Sequence, residues 1–135
     1  MRIGRHELCS DKDLVFIRWV GAPAAAEIRE MQAQVEHVAK EYGFVYMLLD
    51  MSQAEIPDAE ARRVSSDWAG HHLIRGLAHY GQSWPIRIVE TLILRGIQLL
   101  GKQLAPTVFA KDEREARDWL AGQRAAWHSQ APSPR

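Results

Sequence analysis

Two short apolar runs, Leu14 to Val20 and Phe44 to Leu49, bracket a long amphipathic stretch, and this arrangement limits the possible folds more than any other feature. The first run, Leu14-Val15-Phe16-Ile17-Arg18-Trp19-Val20, is apolar on both faces except at Arg18, as suits a strand covered on both sides. Between the runs, Ile28, Met31, Val35, Val38 and Tyr42 recur at spacings of three and four. That periodicity predicts a helix, with Glu27, Arg29, Glu30, Glu36 and Lys40 mostly off its apolar stripe. Pro23 suits the first turn and Gly43 the C-cap. A strand, a helix and a second strand joined this way form a right-handed crossover with parallel strands.

The flanking segments extend the plan. Arg5 to Ser10 is a weak strand candidate, and the polar turn Ser10-Asp11-Lys12-Asp13 makes it an antiparallel edge partner of the Leu14 strand. Asp50 to Pro57 reads as a loop, and a helix opens at Asp58 with Ala61, Val64, Ser65, Trp68 and His72 on one face. Gly70 and His71-His72 suggest its end, and Leu73 to Tyr80 is expected to be the next strand despite Gly76. From Trp84 to Lys102, Ile86, Ile88, Val89, Leu92, Ile93, Ile97, Leu99 and Leu100 fill about half of a helical wheel. Arg87, Glu90, Thr91, Arg95, Gln98 and Lys102 fill the rest, with Leu94 among them. Ala105 to Ala110 is a last strand, and Asp112 with Glu115 makes a capping box for a final helix. The expected fold is an α/β layered domain: a mostly parallel sheet of about five strands, one antiparallel edge and four helices. At 135 residues this is one domain, placed at 1–127, with 128–135 a disordered tail.

Several function classes are disfavoured. Seventeen basic residues balance seventeen acidic ones, so no electrostatic footprint for nucleic acid is present. Met1 to His6 leads into polar residues rather than the apolar core of a signal peptide, and no run of apolar residues is long enough for a transmembrane segment. A cytoplasmic location is the expectation. Lone Cys9 forms no internal disulfide. Gly-x-Ser-x-Gly, P-loop and dinucleotide-binding signatures are missing. Asp67, His71 and His72 invite a metal, but zinc sites need three or four ligands and His79 is the one obvious addition. No metal and no cofactor is expected.

The order of elements, with Leu48-Leu49-Asp50-Met51-Ser52 at the end of one strand and Glu115-Ala116-Arg117-Asp118-Trp119-Leu120 in the closing helix, resembles the STAS domain of anti-sigma-factor antagonists. It is most similar to the SpoIIAA-like (STAS/SEC14-type) branch of small bacterial proteins, over about residues 5 to 122. The resemblance implies a binding domain whose partner meets the loop and second helix. In the antagonists an Asp-Ser-Ser/Thr-Gly motif opens that helix, and phosphorylation of its Ser breaks the complex. The matching positions here are Asp58-Ala59-Glu60-Ala61: Asp58 is kept, but Ala59 has no hydroxyl and Ala61 replaces the Gly. Glu60 carries charge without a phosphate's oxygens.

The first expectation is therefore a non-catalytic STAS-like module, with Asp50, Ser52, Asp58, Ala59, Glu60, Arg62 and Arg63 facing a protein partner. Asp50 itself is expected to hydrogen-bond loop amides. The alternative is a carrier or sensor of a small apolar, lipid-like ligand, in a pocket at Trp84, Ile88, Leu92 and Leu94 beneath the amphipathic helix. That helix could equally serve a homodimer. A metal-dependent enzyme using Asp67, His71 and His72 is the weakest of the three.

Overall fold

Three helices in turn carry the chain one place further across a single sheet. The computed structural model describes residues 1–130. Strands β1 (Arg2–Ile3), β2 (His6–Asp11), β3 (Leu14–Gly21), β4 (Val45–Ala54), β5 (Ile74–Tyr80) and β6 (Thr107–Ala110) lie in chain order. The pairs β1–β2 and β2–β3 are antiparallel, and those from β3 to β6 are parallel. Helices α1 (Ala25–Tyr42), α2 (Ala59–Asp67) and α3 (Trp84–Leu99) make the three crossovers, and α4 (Glu113–Gln130) follows β6. All three crossovers advance in the same direction. With right-handed connections they must all lie on one face of the sheet.

The two-residue period of the strands divides the core accordingly. On the face under α1 to α3, Val15, Ile17, Met47 and Leu49 pack with Met31, Val35 and Ile86. On the other, Tyr46, Leu48, Ala78 and Tyr80 pack with Ala116 and Leu120 of α4. Gly43, at φ 86°, ends α1 in the left-handed conformation that only glycine adopts without strain.

The structure corrects several boundaries. The sheet has six strands rather than about five, because Arg2–Ile3 adds a short edge. Residues Asp50 to Ala54, expected as loop, continue β4. They do so because β3 keeps pairing with them as far as Gly21↔Ala54, past a register shift between Arg18 and Val20. Inter-strand hydrogen bonds there outweigh a turn-like composition. Helix α2 ends at Asp67 and a 3₁₀ turn (Ala69–Leu73) leads into β5, while α3 ends at Leu99, short of Lys102. Residues 128–130, expected in a tail, belong to α4, and the remainder of that tail lies outside the described residues. Among the described residues no helix is long and apolar enough to cross a membrane.

One glycine ties the start of the α3 crossover to β4. Gly81 sits at φ 75°, and a Cβ there would stand 3.2 Å from the Ser52 nitrogen. A Gly81→Ala variant is expected to lose about 1–2 kcal/mol, read by urea unfolding, from the left-handed backbone alone.

Candidate functional site

Helices α1, α2 and α3 leave a cavity of about 190 Å³ between themselves and the sheet. Its floor is Ile17, Met47, Leu49, Met51 and Leu77. Met31 and Val35 close it from α1, and Ile86, Val89, Ile93, Leu94 and Ile97 from α3. An apolar cavity of ~150 Å³ already holds a benzene-sized molecule, so the space suits a small apolar guest. Three methionines in the wall add adaptable, polarizable surface.

A buried polar pair interrupts this wall. His79 of β5 is stacked on Phe109 at 4.9 Å between ring centroids, which holds the imidazole in place. Its Nε2 pairs with the Glu90 carboxylate of α3. The two residues are 3% and 9% exposed. Glu90 Oε1 and His79 Nδ1 have no hydrogen-bond partner among the described residues, and neither does Trp19 Nε1. Trp19, His79 and Glu90 all line the cavity. The pair fastens α3 to the sheet and gives a largely apolar chamber, whose lining also includes Gln32, Glu55, Ser65 and His71, a buried polar point.

This geometry turns α3 away from the orientation expected from its wheel. Glu90, expected on the solvated half, faces inward with Ile86, Val89, Ile93 and Ile97. Leu94 lines the cavity. Trp84, Ile88 and Leu92 do not: they are 75%, 40% and 58% exposed, on an outer groove shared with Arg87 and Arg95. Apolar residues cover about half of the α3 wheel, a wider arc than the buried side, so the hydrophobic pattern alone could not select which of them face inward. The missed signal was the acidic residue in register with Ile86 and Leu94, four residues to either side.

Asp50 is a structural carboxylate on the α4 side of the sheet. It accepts hydrogen bonds from Arg18 Nε at 2.9 Å, from the Ser52 amide at 3.0 Å and from Ser52 Oγ at 2.7 Å. Burial pushes its pKa up, but the Ser52 and Arg18 hydrogen bonds outweigh burial and hold it below the usual carboxylate range. A depressed folded pKa stabilises the fold above the unfolded value of ~3.9, and that contribution disappears as pH falls through the folded value. An Asp50→Asn variant is expected to lose about 1–3 kcal/mol at neutral pH. The gap to the parent should narrow progressively when urea unfolding is repeated at falling pH below the unfolded value of ~3.9.

Around α2, Asp58 caps the helix by accepting from the Ala61 amide at 2.8 Å. Ser52, Asp58, Ala59, Glu60 and Arg63 are exposed together. Arg62 is not the free charge expected: it is half-buried and donates to the Pro57 carbonyl at 2.6 Å. The proposed metal ligands are not brought together. His71 Nε2 donates to the Ser65 carbonyl at 2.8 Å, and burial pushes its pKa down. His72 instead turns to the Ala69 carbonyl. Among the described residues no three His, Cys, Asp or Glu side chains form a metal-binding group.

No family model and no curated protein sequence matches the chain. Solved structures do. An uncharacterized protein with a SpoIIAA-like fold from Shewanella loihica PV-4 matches at TM-score 0.57 and 18% identity, covering 85% of this chain and 91% of that one. The anti-sigma factor antagonist SpoIIAA, in its unphosphorylated form, matches at TM-score 0.58 and 13% identity, covering 87% of this chain and 98% of that one. Identity this low carries the fold and not the activity: the chain has a SpoIIAA-like fold.

Proposed function

We propose that this domain is a non-catalytic binding module whose cavity takes a small apolar ligand, as a carrier or sensor does. One observation carries the reading: a chamber of about 190 Å³ lined chiefly by Ile, Leu, Val and Met side chains, under a helix held to the sheet by one buried pair. Pockets of this kind are the usual seat of small-molecule recognition. The test is calorimetric titration with hexanol, a probe of suitable size. Saturable binding at one site is expected. Leu94→Glu, which puts a charge in the wall, is expected to weaken it by about tenfold or more, while Leu92→Glu on the outer face spares it. Absence of saturable binding overturns the proposal, and so does equal loss in both variants.

A second reading concerns the exposed residues at the head of α2. The SpoIIAA neighbour is an anti-sigma factor antagonist. Asp58, Ala59, Glu60 and Arg63 form a solvent-facing patch of mixed charge around a capped helix start, the type of surface that orients an encounter. With Ala59 in place of a Ser, partner release here would not use a phosphate at that position. An Arg63→Glu variant is expected to lose partner capture and keep hexanol affinity. Unchanged capture would remove this reading and leave the first intact.

A further inference from the structure

We propose that the outward face of α3 docks on an anionic lipid surface, with Trp84, Ile88, Leu92 and Leu99 entering the headgroup region and Arg87 and Arg95 pairing with lipid phosphates. The starting point is an apolar stripe that no described residue buries. Trp84, Ile88, Leu92 and Leu99 follow one another along α3 at intervals of four, four and seven residues, and Leu99 is 88% exposed. At the helical period they fall within about 80° of one face. With Leu100 they make up five of the nine large apolar side chains exposed among the described residues. Exposed apolar surface is therefore gathered on one helix rather than scattered, which is the mark of an interaction site.

Charge selects what covers the stripe. Arg87 and Arg95 stand beside Trp84, Ile88 and Leu92 in one shallow groove. The face holds no carboxylate, because Glu90, the sole acidic residue of α3, is turned inward to His79. Neither arginine forms an ion pair among the described residues. The whole chain has no net charge, so this basic, acid-free face is a local segregation and not a general excess. Lipid phosphates supply the missing anions, and guanidinium pairs with phosphate bidentately. A second copy does not: apposing two α3 faces brings four guanidinium groups together with no carboxylate between them, and desolvated unpaired charges are costly. The form of the face agrees. It is the convex outer arc of a helix of 16 residues, about 24 Å long, with an indole at one end and leucines at the other. A helix lying in the plane of a bilayer interface has this distribution, with indole placed at headgroup level.

The test is co-sedimentation of the full chain with vesicles of equal parts phosphatidylglycerol and phosphatidylcholine, beside vesicles of phosphatidylcholine alone. Binding to the anionic vesicles is expected to be about tenfold or more tighter, and to weaken as salt is added. Arg87→Gln/Arg95→Gln is expected to lose about tenfold or more, since each basic side chain near such a surface contributes about fivefold. Arg29→Gln/Arg114→Gln removes two exposed charges from other helices and is expected to bind as the parent does. Leu92→Glu is expected to abolish vesicle binding, with urea unfolding confirming that each variant is folded. Failure of the parent to bind anionic vesicles overturns the proposal, as do equal binding to both vesicle types, parent-like binding by Leu92→Glu, and equal loss in the two arginine double variants. Analytical ultracentrifugation without lipid covers the other occupant: a parent dimer that Leu92→Glu converts to monomer gives the face to a second copy and overturns the proposal too. None of these results touches the cavity, whose reading stands or falls on hexanol.

Discussion

Replacing Ile93 with tryptophan is expected to lower hexanol affinity by about a hundredfold while the protein stays folded. Ile93 faces the cavity from the middle of α3, one turn from both Glu90 and Ile97. An indole there would project into the chamber of about 190 Å³ and occupy the space that a guest needs. In a filled core such a substitution would cost about 1–3 kcal/mol through overpacking. Here the added ring meets open space and gains contacts, so the net change in stability is expected within about 1 kcal/mol. Calorimetry gives the affinity and urea unfolding the stability. Parent-like binding in a folded Ile93→Trp protein would place the guest elsewhere.

The largest effect on stability is expected at the buried pair. His79→Leu removes one partner and leaves the Glu90 carboxylate in an apolar wall, at a cost of about 3–5 kcal/mol. Glu90→Leu strands the imidazole in the same way. The double variant His79→Leu/Glu90→Leu removes both polar groups and is expected to recover most of that loss, because an apolar pair of similar volume packs in the same place. A double-mutant cycle in urea reads the coupling. Simple additivity would mean that the two side chains do not act as a unit, and would remove the fastening of α3 to β5 from the account.

Much of the fold was legible because its signals are local. The α1 stripe from Ile28 to Val38, the glycine that ends it and the apolar runs on either side each specify their own structure. The Asp112 cap is local too, and the structure has it accepting from the Glu115 amide at 2.9 Å. The features that escaped depend on partners distant in sequence. The continuation of β4 through Ala54 is fixed by β3, more than thirty residues earlier. The facing of α3 is set by a carboxylate whose partner lies on β5. Outward-facing Trp84, Ile88 and Leu92 look the same in sequence as core residues, since nothing local tells an apolar side chain which way the helix is turned. The chamber itself is an absence of atoms between three helices, and no residue pattern announces it.

The most direct measurement follows the methionine methyl groups by NMR during a hexanol titration. The chain has four methionines, and Met31, Met47 and Met51 line the cavity while Met1 is 61% exposed on the edge strand side. The account predicts saturable shifts for Met31, Met47 and Met51 at a common affinity, with Met1 unmoved. Shifts that grow without saturation, or that include Met1 and leave the three cavity methyls unchanged, would contradict it.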